Sequence, residues 1–268
     1  MPGSTLSDGM VHKIEKWDPS KLPPHPRILL LGRSGSGKST CLHDVLSYLA
    51  DKIDLCLLFS PTVESIEAFQ KRAPPSVCHL GGLKLEIVEA ALRMNRELLS
   101  KGKARELFIV ADDVAAAGKQ IFGSPVFRDL CMNGRPAKCG LGVTLQYCMD
   151  VPVEIRSQFA IIIACAENNH ANRKRIWTQF GGVVPTYREF DAIMTSCTRN
   201  HGCLVIDNTD PSATIETSIF HWKARLNPPP YKLCKPVYWM LDSRPHPEKK
   251  NDVLVVDDPP RRKLVDAI

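Results

Sequence analysis

Nine consecutive residues, Gly32-Arg33-Ser34-Gly35-Ser36-Gly37-Lys38-Ser39-Thr40, satisfy the pattern GxxxxGK[ST]. With ordinary usage of Gly, Lys, Ser and Thr, the pattern arises by chance in roughly one chain in a hundred of this length. Its setting makes chance a poorer explanation still, because an apolar run precedes it and the helix-like CLHDVLSYLA follows. Gly32, Gly35 and Gly37 let the backbone curl until successive N–H groups converge on phosphate oxygens, while the start of the next helix adds partial positive charge. The expected ligand is ATP, with Lys38 on its β- and γ-phosphates. Ser39 is expected to place its hydroxyl on Mg²⁺, with Thr40 beside it in the first helical turn.

Two further segments carry polar groups at the end of an apolar run. Leu107-Phe108-Ile109-Val110-Ala111-Asp112-Asp113 has the form of a Walker B segment, as the glycine loop has that of a Walker A. At the C-terminal end of a strand one carboxylate can hold Mg²⁺ and the next can polarise an attacking water, so Asp112 is assigned to the metal and Asp113 to the water. In Gly142-Val143-Thr144-Leu145-Gln146 the terminal Gln146 is placed to hydrogen-bond the γ-phosphate or the water.

These residues need a scaffold that brings strand ends together. Continuous apolar runs predict strands at 28–31, 55–59, 107–111, 142–145, 159–164 and 203–206, each covered on both faces. Helical segments lie between them, with start signals at Ser124-Pro125 and at Thr186 with Glu189, and a stop at Gly134. The alternation predicts an α/β fold with a mostly parallel central sheet flanked by helices. Thirteen of the 21 prolines fall before Arg27 or after Leu226. The expected division is therefore a flexible segment at 1–26, an ATPase domain at 27–225, and a largely irregular tail at 226–268 with a short apolar run at Val253–Val256.

Composition sets bounds. The 268 residues are 44% apolar and 24% charged, which excludes a disordered chain, and the longest apolar run, Phe159–Ala166, is too short to span a membrane. The first residues lack the basic start and apolar stretch of a secretory signal, so a protein that is not secreted is expected. Ten cysteines without a CxxC pair read as reduced core thiols, the nearest approach to a metal cluster being Cys197, His201 and Cys203. A net charge of +6 suits a nucleic-acid partner without requiring one.

The order of glycine loop, paired-Asp strand and Gln-tipped strand resembles the FtsK–HerA superfamily of DNA-translocating ATPases. Asn133-Gly134-Arg135, the run LGVTLQYCMDVPVEIRSQF, Asn172-Arg173-Lys174 and CLVIDNT resemble, more narrowly, the poxvirus-type genome-packaging ATPases of large nucleocytoplasmic DNA viruses. The resemblance covers roughly residues 27–225. It implies a RecA-like P-loop NTPase core in which the Gln-tipped strand lies between the other two. It also implies a homo-oligomeric ring that threads double-stranded DNA into a preformed capsid, with capsid or portal proteins as partners. The expected location is the host cytoplasm, a viral factory or the virion. Two departures stand out: Pro136 occupies the place where relatives commonly have a His, and Asp113 stands where many translocases use Glu.

A ring ATPase takes a positive charge from the next subunit at the γ-phosphate, and Arg156 and Arg135 are the candidates. Arg173-Lys174-Arg175, Lys119 and Lys138 are the candidate contacts to DNA phosphates. The alternative reading is a P-loop kinase acting on a small-molecule acceptor, for which the chain shows no clear Arg-rich lid. A GTP switch is disfavoured because no NKxD motif is present.

Overall fold

The computed structural model describes residues 3–5, 11–117 and 119–243. In chain order the strands are β1 (Gly3–Thr5), β2 (Val11–Lys13), β3 (Glu15–Lys16), β4 (Arg27–Leu31), β5 (Leu55–Ser60), β6 (Cys78–Leu80), β7 (Leu107–Ala111), β8 (Cys139–Leu145), β9 (Ile161–Ala164), β10 (Cys203–Asp207) and β11 (Ile219–Trp222). The helices that cover them are α1 (Lys38–Leu49), α2 (Val63–Gln70), α3 (Leu85–Ser100), α4 (Pro125–Asn133), α5 (Val153–Arg156), α6 (His170–Phe180), α7 (Tyr187–Cys197), α8 (Ile215–Ser218) and α9 (Pro236–Asp242).

All six predicted strands are present, and β4, β5, β7, β8 and β9 are buried along their whole length, as continuous apolar runs require. They belong to one nine-stranded sheet of order β3-β11-β10-β9-β4-β8-β7-β5-β6. From β6 to β9 every pairing is parallel, whereas β10 runs antiparallel to both β9 and β11. The Gln-tipped strand β8 lies between β4 and β7, in the order the resemblance implies. Both helix-start signals hold: Ser124 Oγ accepts the Phe127 N–H at 3.1 Å, and Thr186 with Glu189 closes a reciprocal cap at the start of α7.

Strands β3, β6 and β11 carry no strong sequence signal, being only two to four residues long with polar residues among them. The packed body also passes both expected domain boundaries. Before residue 27, Ile14, Trp17 and Leu22 are buried, and Trp17 meets Trp222 edge to face with ring centroids 5.4 Å apart, so this part of the segment is packed onto the sheet. After residue 225, Leu233 and Cys234 are buried, and Lys235 pairs with Asp54 ahead of α9. The apolar run at Val253–Val256 lies outside the described residues.

Candidate active site

The glycine loop joins β4 to α1. The Gly32 N–H donates to the Leu145 carbonyl at 3.1 Å, which ties the start of the loop to the tip of β8. A Cβ on Gly32 would lie 2.3 Å from Ser36 Oγ and 2.9 Å from Cys165 Cβ, so no larger residue fits there without displacing the loop. Gly37 caps α1 at φ 96°, a left-handed conformation that favours glycine, and no side chain caps the helix start. The first N–H groups of a 12-residue helix therefore face the loop with their partial positive charge uncompensated by a side chain. Lys38 Nζ donates to the carbonyls of Gly32 at 2.6 Å and Arg33 at 3.0 Å, which holds its charge across the loop. Loop and helix start together form an anion cradle.

The carboxylates are one strand away. Because β8 separates β4 from β7, the loop and the paired aspartates lie at the same edge of the sheet, with about 10 Å between their strand axes. Asp112 is 7% exposed and both of its oxygens are held by hydroxyls: Ser60 donates to Oδ2 at 3.0 Å and Thr144 to Oδ1 at 2.7 Å. Thr144 Oγ1 also accepts the Asp113 N–H at 2.8 Å. This one hydroxyl therefore fixes both members of the pair. Asp113 stands at φ 43°, a strained conformation for a residue with a side chain, and Gln146 Nε2 reaches its two oxygens at 3.4 and 3.3 Å. Gln146 and Gly32 line one small cleft with Cys165, Glu167 and Asn172, so the tip of β8 and the loop share a surface. On α1, burial pushes His43 down to about 4, with the Arg72 charge adding to the effect and the Asp112 charge opposing it.

Ser60 and Thr144 are the site residues that sequence reasoning missed. Each is fully buried at or near the end of an otherwise apolar strand, LCLLFS and CGLGVTL, and that lone polar residue was the available signal.

The arginine candidates fare differently. Arg156 is 8% exposed, and Nη1 donates to the Cys148 carbonyl at 3.5 Å and to Met149 Sδ at 3.1 Å. The crossover from β8 to β9 folds over it. Arg135 is exposed, but it precedes β8 and so lies at the sheet edge opposite the loop. Among the basic residues considered for DNA, Arg173 joins α6 to α7 through Thr195 at 2.6 Å and Asp191 at 3.2 Å, and Lys138 pairs with Glu106 at 2.8 Å. Arg175 lies over the Tyr147 ring beside Gln146, Lys174 is exposed, and the Lys119 side chain lies outside what is described. Cys197, His201 and Cys203 do not form the cluster considered from their spacing; among the described residues, Cys203 instead joins Cys41 and Cys165.

An anion cradle, a buried oxygen donor set and a second carboxylate bonded to an amide together suit phosphoryl transfer. No protein-family model matches the chain. It is 24% identical over 226 residues to an uncharacterized protein of Acanthamoeba polyphaga mimivirus, covering 80% of this chain and 78% of that one. It is 27% identical over 230 residues to uncharacterized protein 088R of Invertebrate iridescent virus 3, covering 82% and 87%. Solved structures of similar fold include a viral genome-packaging NTPase and a conjugation coupling protein. The genome-packaging NTPase B204 of Sulfolobus turreted icosahedral virus 2, in complex with AMP, aligns with TM-score 0.52 at 17% identity over 76% of this chain and 100% of that one. The pCW3 conjugation coupling protein TcpA, with ATPγS, aligns with TM-score 0.53 at 15% identity over 75% and 60%. These likenesses establish the P-loop NTPase fold.

Proposed function

We propose that the chain is an ATP-driven double-stranded DNA translocase that packages a viral genome into a preformed capsid. The observation that carries the reading is the side-by-side placement of three strand tips, bearing the glycine loop, Gln146 and the Asp112–Asp113 pair, with Gln146 bonded to Asp113. Relatives in large DNA viruses and a packaging NTPase among the structural neighbours support it.

In this reading residues 32–40 wrap the phosphates of ATP, and Lys38 exchanges its loop carbonyls for the β- and γ-phosphates. Ser39 and Asp112 offer hard oxygen donors that fit Mg²⁺, which would neutralise charge on the phosphates, and the hydroxyls of Ser60 and Thr144 hold the Asp112 carboxylate in one orientation. Asp113 polarises the attacking water and Gln146, bonded to it, responds to the γ-phosphate. Coupling comes from that bond, because a change at Gln146 moves both the base and the tip of β8.

Subunits assemble as a ring that grips DNA through phosphate contacts, for which α6 offers Lys174 and Arg175, the latter lying over the Tyr147 ring at the cleft. With Arg156 buried, Arg135 is the remaining one of the two candidates able to reach a neighbouring subunit. Among the described residues no helix is long and apolar enough to cross a membrane, and capsid or portal proteins in the host cytoplasm, viral factory or virion are the expected partners.

The test is ATP hydrolysis by the purified full chain with and without long duplex DNA, beside a mass measurement with a non-hydrolysable ATP analogue. Faster hydrolysis with DNA, lost on raising salt and abolished by Lys38→Ala, is expected. Efficient phosphorylation of a nucleoside or other small acceptor, with indifference to DNA, would overturn the reading in favour of a kinase.

A further inference from the structure

Directly beneath the glycine loop three thiols converge from distant parts of the chain. Cys41 belongs to the first turns of α1, Cys165 follows β9, and Cys203 opens β10; their exposures are 3%, 1% and 2%. The Cys41 and Cys203 sulfurs are 3.5 Å apart, those of Cys203 and Cys165 are 3.8 Å apart, and all three lie within 4.8 Å of one another. Four-coordinate zinc with bonds of about 2.3 Å to sulfur sets its ligand sulfurs about 3.8 Å apart. The three sulfurs already stand at nearly that separation.

Close-packed thiols alone would not point to an ion. A second feature does. Ser36 Oγ, in the glycine loop, is buried, lacks a well-aligned hydrogen bond and lies against the Cys165 thiol. It borders the same space as Cys165, since the position of a Cβ on Gly32 lies 2.3 Å from Ser36 Oγ and 2.9 Å from Cys165 Cβ. Buried hydroxyls are normally partnered, and an oxygen beside the Cys165 sulfur can serve as a fourth donor to an ion held by three thiolates. The other buried cysteines lie elsewhere in the core; the Cys234 thiol, for example, accepts the Cys56 N–H and donates to the Cys56 carbonyl.

We propose that Cys41, Cys165 and Cys203, with Ser36 Oγ as the fourth donor, form a structural binding site for a thiophilic divalent cation of the zinc class. Binding converts three thiols to thiolates and releases three protons to solvent while the serine remains a neutral hydroxyl, so a dication leaves the site with one net negative charge. Lys38 and the start of α1 lie on the side of that charge and offset it. The ion would fasten the loop and the first turns of α1 to β9 and β10, fixing the cradle from beneath while leaving its phosphate-facing side open. Such a site has no role in the hydrolytic chemistry and does not depend on it.

The test uses the full chain, expressed with added zinc and purified under reducing conditions without chelator. Elemental analysis is expected to find about one zinc per chain, falling to near zero in Cys165→Ser and Cys203→Ser and unchanged in Cys131→Ser, a buried cysteine elsewhere in the core. Cobalt added to the metal-stripped wild-type chain is expected to give thiolate-to-cobalt charge-transfer absorption, which Cys203→Ser removes; far-UV circular dichroism checks that each variant is folded. A wild-type chain that holds no zinc and gives no cobalt–thiolate band overturns the proposal whatever the variants do, as does full zinc retention in Cys203→Ser. Neither readout involves nucleotide or DNA, so failure here leaves the ATPase reading untouched.

Discussion

The two halves of the sheet treat the edge that carries the glycine loop differently. In the parallel half, β5, β7, β8 and β4 all end there, and each delivers a polar group: Ser60, the Asp112–Asp113 pair, Thr144 with Gln146, and the loop itself. In the antiparallel flank β10 begins there, so the same edge receives Cys203, and its polar end at Asp207 points the other way, toward the Trp17 indole at 3.4 Å. Strand direction decides which end of a segment meets the glycine loop. The parallel half supplies the polar groups of the proposed site, and the flank supplies a brace: Arg225, just past β11, reaches Asp44 on α1 through its backbone N–H and its guanidinium at 2.8 Å each.

The largest effect should come from the parallel half. Asp113→Asn is expected to lower kcat for ATP by about 10² to 10⁴ with little change in KM, because it removes the base while keeping the shape and the partner of Gln146. Steady-state kinetics beside a melting curve checks it; a loss in stability rather than in kcat would place Asp113 in the brace instead.

The flank should respond in the opposite sense. Asp44 is fully buried, and Arg225→Ala leaves its carboxylate without a charged partner, so a loss of about 3 kcal/mol in unfolding free energy is expected in urea titration. Surviving kcat per folded molecule should be close to wild type. Equal stability in the variant would show that the contact contributes no bracing.

A smaller effect links the two regions at His43, whose ring packs 5.0 Å from Phe69 and whose carbonyl accepts the Tyr231 hydroxyl at 3.0 Å. Its folded-state value of about 4 lies below the ordinary 6.5, so the unfolded chain binds the proton more readily. The contribution of the neutral ring is complete above about pH 6.5 and is lost as pH falls toward 4, on the order of 2 kcal/mol after allowance for partial exposure. Stability curves across that range should be flatter in His43→Asn than in wild type.

Much of this arrangement was legible before any coordinates. The glycine loop, the paired aspartates and Gln146 each end an apolar run, and a buried parallel strand leaves that kind of trace because both faces must be hydrophobic and function collects at its tip. Strands β3, β6 and β11 left almost no trace, since two to four residues at or near a sheet margin need no long apolar run. Nothing local to Asp44 shows that Arg225, 181 residues away, pairs with it. Arg156 was a candidate for a charge offered to the next subunit, and its burial was not legible because it depends on how the crossover after β8 folds back.

The sequence by itself marked the glycine loop, the paired carboxylates and the six principal strands, because local periodicity and loop chemistry act over a few residues. Beyond the placement of β8 that the resemblance implied, only the tertiary structure decided the order of the strands, the reversal of β10, the hydroxyls that hold Asp112 and the meeting of Cys41, Cys165 and Cys203. An apolar run has no direction written into it. Which way it enters a sheet, and what it brings to the edge, follows from packing between segments far apart in the chain.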